Sequence, residues 1–227
     1  MTRVACIADT SAILHIRDIV ISTRTLLDWL REEFQGRLRV SAEVYDELNR
    51  NRGLLGSAAG ITMSRLRPMR LTVQDVEQHY DCVFDRHTFP NGDGERHNLC
   101  LSVQLVRAGR DARQVIFLCD DDAACTAATD VLDSYRIGQV WTSFDLLLFL
   151  FFRHYREVPD ATRQFSEALE GLVHNILSDV NPPTTARGRR AEDRLRRMQA
   201  QIDAWTLHGE RYSERILRTK GLLDCLP

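Results

Sequence analysis

Residues 4–14 read V-A-C-I-A-D-T-S-A-I-L, and residues 115–122 read V-I-F-L-C-D-D-D. Each opens on an uninterrupted apolar run, residues 4–8 and 115–119, that gives way to aspartate. Runs this short suit strands covered on both faces better than buried helices. Such strands belong to parallel sheets whose crossovers are helices. The polar groups that follow, Asp9-Thr10-Ser11 and Asp120-Asp121-Asp122, mark the step from strand to helix.

Working outward, Arg24 to Phe34 places Leu26, Leu27, Leu30 and Phe34 on one helical face, and Gly36 stops it. Leu38 to Val40 is a brief second strand. Ser41 caps a helix that turns Val44 and Leu48 inward. Arg50 to Gly60 is spaced by glycines and reads as a turn or mobile loop. Gln74 to Tyr80 has helical character, and Phe89 to Gly94 (FPNGDG) breaks the chain. A helix from Glu95 to Ala108 carries Leu99, Val103 and Val106. Another covers Ala123 to Leu132. Gly138 to Trp141 makes a further strand, and Thr142-Ser143 caps a hydrophobic helix from Phe144. The order β-α-β-α-α-β-α-β-α predicts an α/β fold, a central parallel sheet flanked by helices, over residues 1–155.

Past Tyr155 the strands stop. Ala161 to Leu177 spaces Phe165, Leu169, Leu172 and Ile176 helically. Asn181-Pro182-Pro183 breaks it, and Arg187 to Leu217 carries Leu195, Met198, Ile202 and Trp205 on one stripe. Residues 156–227 are therefore expected to form an all-helical C-terminal extension.

The 227 residues include 32 acidic and 30 basic side chains, a net charge of -2, which argues against coating DNA or membranes by bulk positive charge. That figure averages two unlike parts. From Arg187 onward there are ten basic and six acidic residues, or +4, which leaves -6 for the rest. Every basic residue but Lys220 is arginine. The six cysteines form no C-x-x-C pair and no zinc spacing. The first residues lack a leader pattern, and the longest apolar block, Leu146 to Phe152, is far too short to span a bilayer. A reduced, cytoplasmic protein without membrane contact is expected.

Ligands of open α/β sheets sit beyond the carboxyl ends of the strands. Asp9 and the Asp120–Asp122 triplet fall there. Glu47 follows the second strand, and Asp93 and Glu95 open a helix bordering the same edge. Carboxylates gathered without arginine partners repel one another and call for a hard cation, Mg²⁺ or Mn²⁺. Such ions serve in-line attack on phosphodiesters. The plainer readings are structural: Asp9 and Asp93 as helix caps, Glu47 as one of several solvated helix acids, and Glu95 as a first-turn complement to the helix dipole.

Taken together, these blocks resemble the PIN-domain family of metal-dependent nucleases. V-A-C-I-A-D-T-S-A-I-L is similar to the family's first strand and acid, Asp9. RVSAEVYDEL resembles its second block, which places the acid at Glu47. GDGERHNLCLS resembles the third, pointing to Glu95 with Asp93 as rival. VIFLCDDDAACTAA resembles the fourth, favouring Asp121 with Asp120 and Asp122 flanking, and VWTSFDLL resembles the last strand and helix start.

The resemblance covers roughly residues 1–155 and rests on the order of the blocks. The length and the helical last third depart from the small toxins of the family. It implies an endoribonuclease that cuts single-stranded RNA, with Asp9, Glu47, Glu95 and Asp121 catalytic and the metal held among Asp9, Glu47, Asp93, Glu95, Asp120 and Asp121. Ser11, Arg96 and Thr142 would touch substrate. The partners it implies are single-stranded RNA and, for a bacterial toxin or defence protein, an antitoxin; the amphipathic C-terminal helix would suit that partner or a second copy. A degenerate scaffold of the same fold, binding protein or RNA, is the alternative. A phosphatase using Asp9 as nucleophile is disfavoured, because Ser11 stands where that class carries a second acid.

Overall fold

The computed structural model describes residues 4–71, 93–107, 112–178 and 185–208, with the side chains of 93 and 185–188 outside the description. A five-stranded sheet organises the chain. Its strands are β1 (Val4–Ala8), β4 (Leu38–Ser41), β5 (Pro68–Met69), β6 (Gln114–Leu118) and β7 (Gly138–Trp141), in the order β5-β4-β1-β6-β7. Every pairing is parallel. A two-stranded antiparallel hairpin, β2 (Val20–Ile21) with β3 (Arg24–Thr25), lies apart from it.

The helices are α1 (Thr10–Ile16), α2 (Leu26–Glu33), α3 (Ala42–Arg50), α4 (Ala59–Arg65), α5 (Asp93–Arg107), α6 (Asp122–Tyr135), α7 (Ser143–His154), α8 (Ala161–Ser178) and α9 (Thr185–His208). Alternation along the central strands separates two apolar layers. Val4, Cys6 and Ala8 of β1, with Ile116 and Leu118 of β6, face α1, α2, α7, α8 and α9. Ala5 and Ile7, with Val115 and Phe117, face α5 and α6. Both faces are covered, which is why β1 and β6 read as continuous apolar runs rather than alternating ones.

Several boundaries differ from the sequence reading. The glycine-spaced stretch read as a loop holds a 3-10 helix, Arg52–Ala58, and α4. Its glycines interrupt rather than prevent helix, and Gly56 takes a positive φ of 55° at the kink. The helix expected from Arg24 starts at Leu26, because Arg24 and Thr25 pair with the preceding strand and the Thr25 side chain caps α2. Two-residue strands such as β2, β3 and β5 carry too little pattern to be read from sequence. The segments Gln74–Tyr80, Phe89–Gly92, Asn181–Pro183 and Gly209 onward lie outside the described residues.

The helices beyond Tyr155 share the main core. Trp205 of α9 packs edge-on against Phe151 of α7 at 5.1 Å, and Phe151 meets Phe165 of α8 at 5.2 Å. Asn175 of α8 donates through Nδ2 to the His15 carbonyl (2.7 Å) and to Asp18 (2.8 Å). Among the described residues no helix is long and apolar enough to cross a membrane.

Candidate functional site

From β1 the chain first builds the β4-β5 side of the sheet and later the β6-β7 side, so the winding reverses between β1 and β6. The crevice beyond the carboxyl ends of those two strands is where such sheets bind ligands. Register fixes what arrives there. Ala8 pairs with Leu118, and Asp9 N–H donates to the Leu118 carbonyl at 2.9 Å. Asp9 therefore stands beside the start of the Cys119–Asp122 turn.

Asp9 is buried and caps α1. Its Oδ2 accepts from Ser11 N–H (3.3 Å) and Ser11 Oγ (3.1 Å). Burial pushes its carboxyl up to about 6. The Ser11 and Thr10 bonds oppose that rise, and the charge of Glu47 adds to it. Glu47 comes from α3 and accepts the Thr10 hydroxyl on Oε2 at 2.8 Å. Glu95, in the first turns of α5, is half-buried and raised to about 7. Burial is the chief cause, and the negative charges of Asp9, Asp121 and Glu47 contribute. Thus the β1–α1 junction, α3 and the β6–α6 turn bring Asp9, Glu47 and Asp121 within electrostatic reach of Glu95 on α5.

Asp121 is the N-cap of α6, its Oδ1 accepting from Ala123 and Ala124 N–H, both at 2.9 Å. Asp9 and Asp121 are thus both helix N-caps, the structural reading given for Asp9 from the sequence. Among the described residues no three Asp, Glu, His or Cys side chains converge into a ready coordination shell. The Asp93 side chain, which the sequence reading included, lies outside the description.

Asp120, also among the candidate ligands, has His15 and Ser143 as partners. Its Oδ2 accepts from Ser143 Oγ (2.5 Å) and lies 2.7 Å from His15 Nδ1, while Oδ1 accepts from Ser143 N–H (2.8 Å). Burial alone would raise its pKa, but the bonds from His15 and Ser143 outweigh that and hold it below the usual carboxylate range. The first of the three aspartates ties β6 to α1 and α7. Ser11 links the two systems, since its hydroxyl also accepts the Asp120 N–H at 3.2 Å.

Thr142 is engaged locally: it caps α7 and forms a reciprocal box with Asp145. Arg96 is half-buried on α5 and Cys100 lies within reach of its charge. His97 Nδ1 lies 2.6 Å from Glu43 Oε2, which ties α5 to α3.

Sequence reasoning missed Asn98. It is fully buried, and its Oδ1 accepts Ser41 N–H at the end of β4 (2.9 Å) while its Nδ2 donates to the Ala8 carbonyl at the end of β1 (3.2 Å). One amide thereby satisfies two strand ends and holds α5 across them. It lies three residues after Glu95, on the same side of the helix, and so helps set where Glu95 stands. No local signal marked it, since Asn98 lies off the face of Leu99, Val103 and Val106, among other polar residues of the same helix. Cys119 was also passed over. Buried in the β6–α6 turn, its Sγ lies 3.9 Å from Asp9 Oδ2, and its thiol is pushed well up by Cys125, by burial and by Asp9.

Comparison with protein-family models, with curated proteins and with solved structures gives no match for this chain.

Proposed function

We propose that this chain is a PIN-like, divalent-metal-dependent nuclease that cuts single-stranded RNA. The observation that carries the reading is that Glu95 stands where the charges of Asp9, Asp121 and Glu47 all reach it, at the point where the sheet's winding reverses. A buried carboxylate costs several kcal/mol unless something compensates it. Hard, anionic oxygen donors of this kind fit Mg²⁺ or Mn²⁺ in charge and type. Asp9, Glu47, Glu95 and Asp121 are the residues that would hold the ion.

When bound, Mg²⁺ or Mn²⁺ would acidify water and neutralise charge on a phosphodiester. The chain's own contribution is positional. Ser11 and Thr10 fix the Asp9 and Glu47 carboxylates by hydrogen bonds. Glu95, whose carboxyl is raised by burial and by its negative neighbours, would give up its proton on taking the ion, so metal uptake by this site should be weaker at low pH. The choice of RNA follows from the resemblance of the four sequence blocks.

Labelled single-stranded RNA and DNA, incubated with the protein in Mn²⁺ or in chelator, test this. RNA should be cut only with metal, and Asp9→Asn should slow cutting by on the order of 100-fold or more. Absence of cleavage of both strands, with no Mn²⁺-dependent thermal shift, overturns the reading. That outcome would favour a scaffold that binds partners and cuts nothing. The specific observation on the scaffold's side is that Asp9 and Asp121 both have employment as helix caps.

A further inference from the structure

We propose that the Arg190–Arg197 stretch of α9 forms a phosphate-binding edge beside the carboxylate site, with Arg190, Arg194 and Arg197 as its contacts and Asp122 as a competing internal anion. The inference rests on the reading that a nucleic acid crosses the carboxyl edge of the sheet.

The buried stripe of α9 is Ala191, Met198, Ile202 and Trp205, with Leu195 partly buried. Arg190, Arg194 and Arg197 each precede a residue of that stripe or its flank, so they share one border of the helix. At ~1.5 Å rise per residue they run for roughly 10 Å along it. Arg190 and Arg197 are exposed and Arg194 is half-buried. The border is oriented by contact with the site. Arg190 Nη1 lies 2.6 Å from Asp122 Oδ2, and Arg194 Nη2 lies 3.5 Å from Asp122 Oδ1. Asp122 is the immediate neighbour of Asp121.

The balance of charge is uneven. One carboxylate, Asp122, faces two guanidinium groups, while the first amides of α6 are taken by Asp121. The pairing leaves positive charge in excess of Asp122 at this edge, which a polyanion needs if it is to approach carboxylates at all. Arginine forks suit phosphate oxygens. Arg194 is further steadied with its guanidinium carbon 5.9 Å from the centre of the Phe144 ring. A cavity of about 30 Å³, lined by Asp120, Asp122, Arg190 and Arg194 among others, lies where these groups meet. An exposed ion pair contributes little to stability and exchanges readily. Phosphate is thus able to take the arginines from Asp122 without unfolding α9, whose hold on the core lies at Met198, Ile202 and Trp205.

The test is binding, in chelator, of the full chain to fluorescein-labelled single-stranded RNA and single-stranded DNA across a salt series. The double variant R190Q/R194Q should bind about tenfold more weakly. Its slope of log affinity against log salt should be shallower by about 1.4, since each phosphate contact on a single strand contributes ~0.7. D122N should bind several-fold more tightly, because the competing anion is gone. If the double variant does not fold, R197Q alone should lower the slope by about 0.7. An unchanged slope in folded variants, D122N binding no more tightly, or no binding of either nucleic acid by the unaltered chain, each overturns the proposal. Binding with these shifts but no Mn²⁺-dependent cleavage leaves the edge standing and removes the nuclease reading alone.

Discussion

His15 Nδ1 and Asp120 Oδ2 lie 2.7 Å apart, and the His15 side chain is fully buried with Asp120 only 2% exposed. An ionised carboxylate only accepts, so the shared proton belongs on His15 Nδ1. With Ser143 donating twice to the same carboxylate, a charge inside the core is compensated from α1 and α7 at once. His15→Leu should cost about 3–5 kcal/mol in chemical denaturation, because it strands a buried charge. Since the folded-state pKa of Asp120 is depressed, its contribution is present above the unfolded value of about 3.9 and is lost as pH falls through the folded value. Stability should therefore drop in strong acid. Asp120→Asn should flatten that part of the curve.

Asp9 and Glu95 run the other way. Their folded-state values are raised to about 6 and about 7, above the unfolded ones, so their contribution is full below about pH 4 and fades as pH rises through 6 to 7. For buried Asp9 alone the charged form costs on the order of 3 kcal/mol. Mn²⁺ should raise the melting temperature more at about pH 8 than at about pH 5, and chelator should reverse the gain. Asp9→Asn should melt higher than the unaltered protein in chelator and gain less from Mn²⁺. Equal Mn²⁺ shifts at both pH values would count against a site made of these acids.

Asn98→Ala should destabilise the protein by about 2–5 kcal/mol. It leaves Ser41 N–H and the Ala8 carbonyl without their partner and opens a small void. Asn98→Asp should not rescue it, since a carboxylate cannot donate to Ala8. Denaturant midpoints of the two variants check this.

Trp205 fills the space among Phe151, Phe152 and Tyr155, and its Nε1 has no hydrogen-bond partner among the described residues. Trp205→Ala should cost about 3–5 kcal/mol. Trp205→Phe should cost far less, within about 1.5 kcal/mol, because the smaller ring also removes a buried N–H that has no partner among the described residues. Unfolding followed by circular dichroism should remain a single transition in both variants if α9 and the sheet share one core.

Gly138 opens β7 directly over Val115 of β6. A Cβ there would fall 2.0 Å from the Val115 carbonyl oxygen. Backbone cannot step aside like a flexible side chain, so Gly138→Ala should destabilise by at least about 2 kcal/mol, read from the denaturant midpoint.

The sequence by itself determined the parallel sheet. Strands buried on both faces must be apolar throughout, and helices between them must show a 3.6-residue period; V-A-C-I-A, V-I-F-L-C and the flanking stripes carry both signals. It also placed acids at the strand ends, because a charge closing an apolar run has few places to go. Pairing decided the rest. Register set Asp9 beside Cys119 and gave Asp120 to His15 and Ser143, residues far from it along the chain. No local pattern distinguishes the three consecutive aspartates, yet one is a buried tie, one a helix cap in the acidic cluster and one a counter-ion for α9. Asn98, which latches two strand ends, stood among other polar residues with no local signal to mark it. The division has a physical cause. Burial and periodicity act on each segment alone and leave their mark in its composition. Hydrogen-bond partners and repelling charges are set by distances across the fold, and those exist only once the strands have paired.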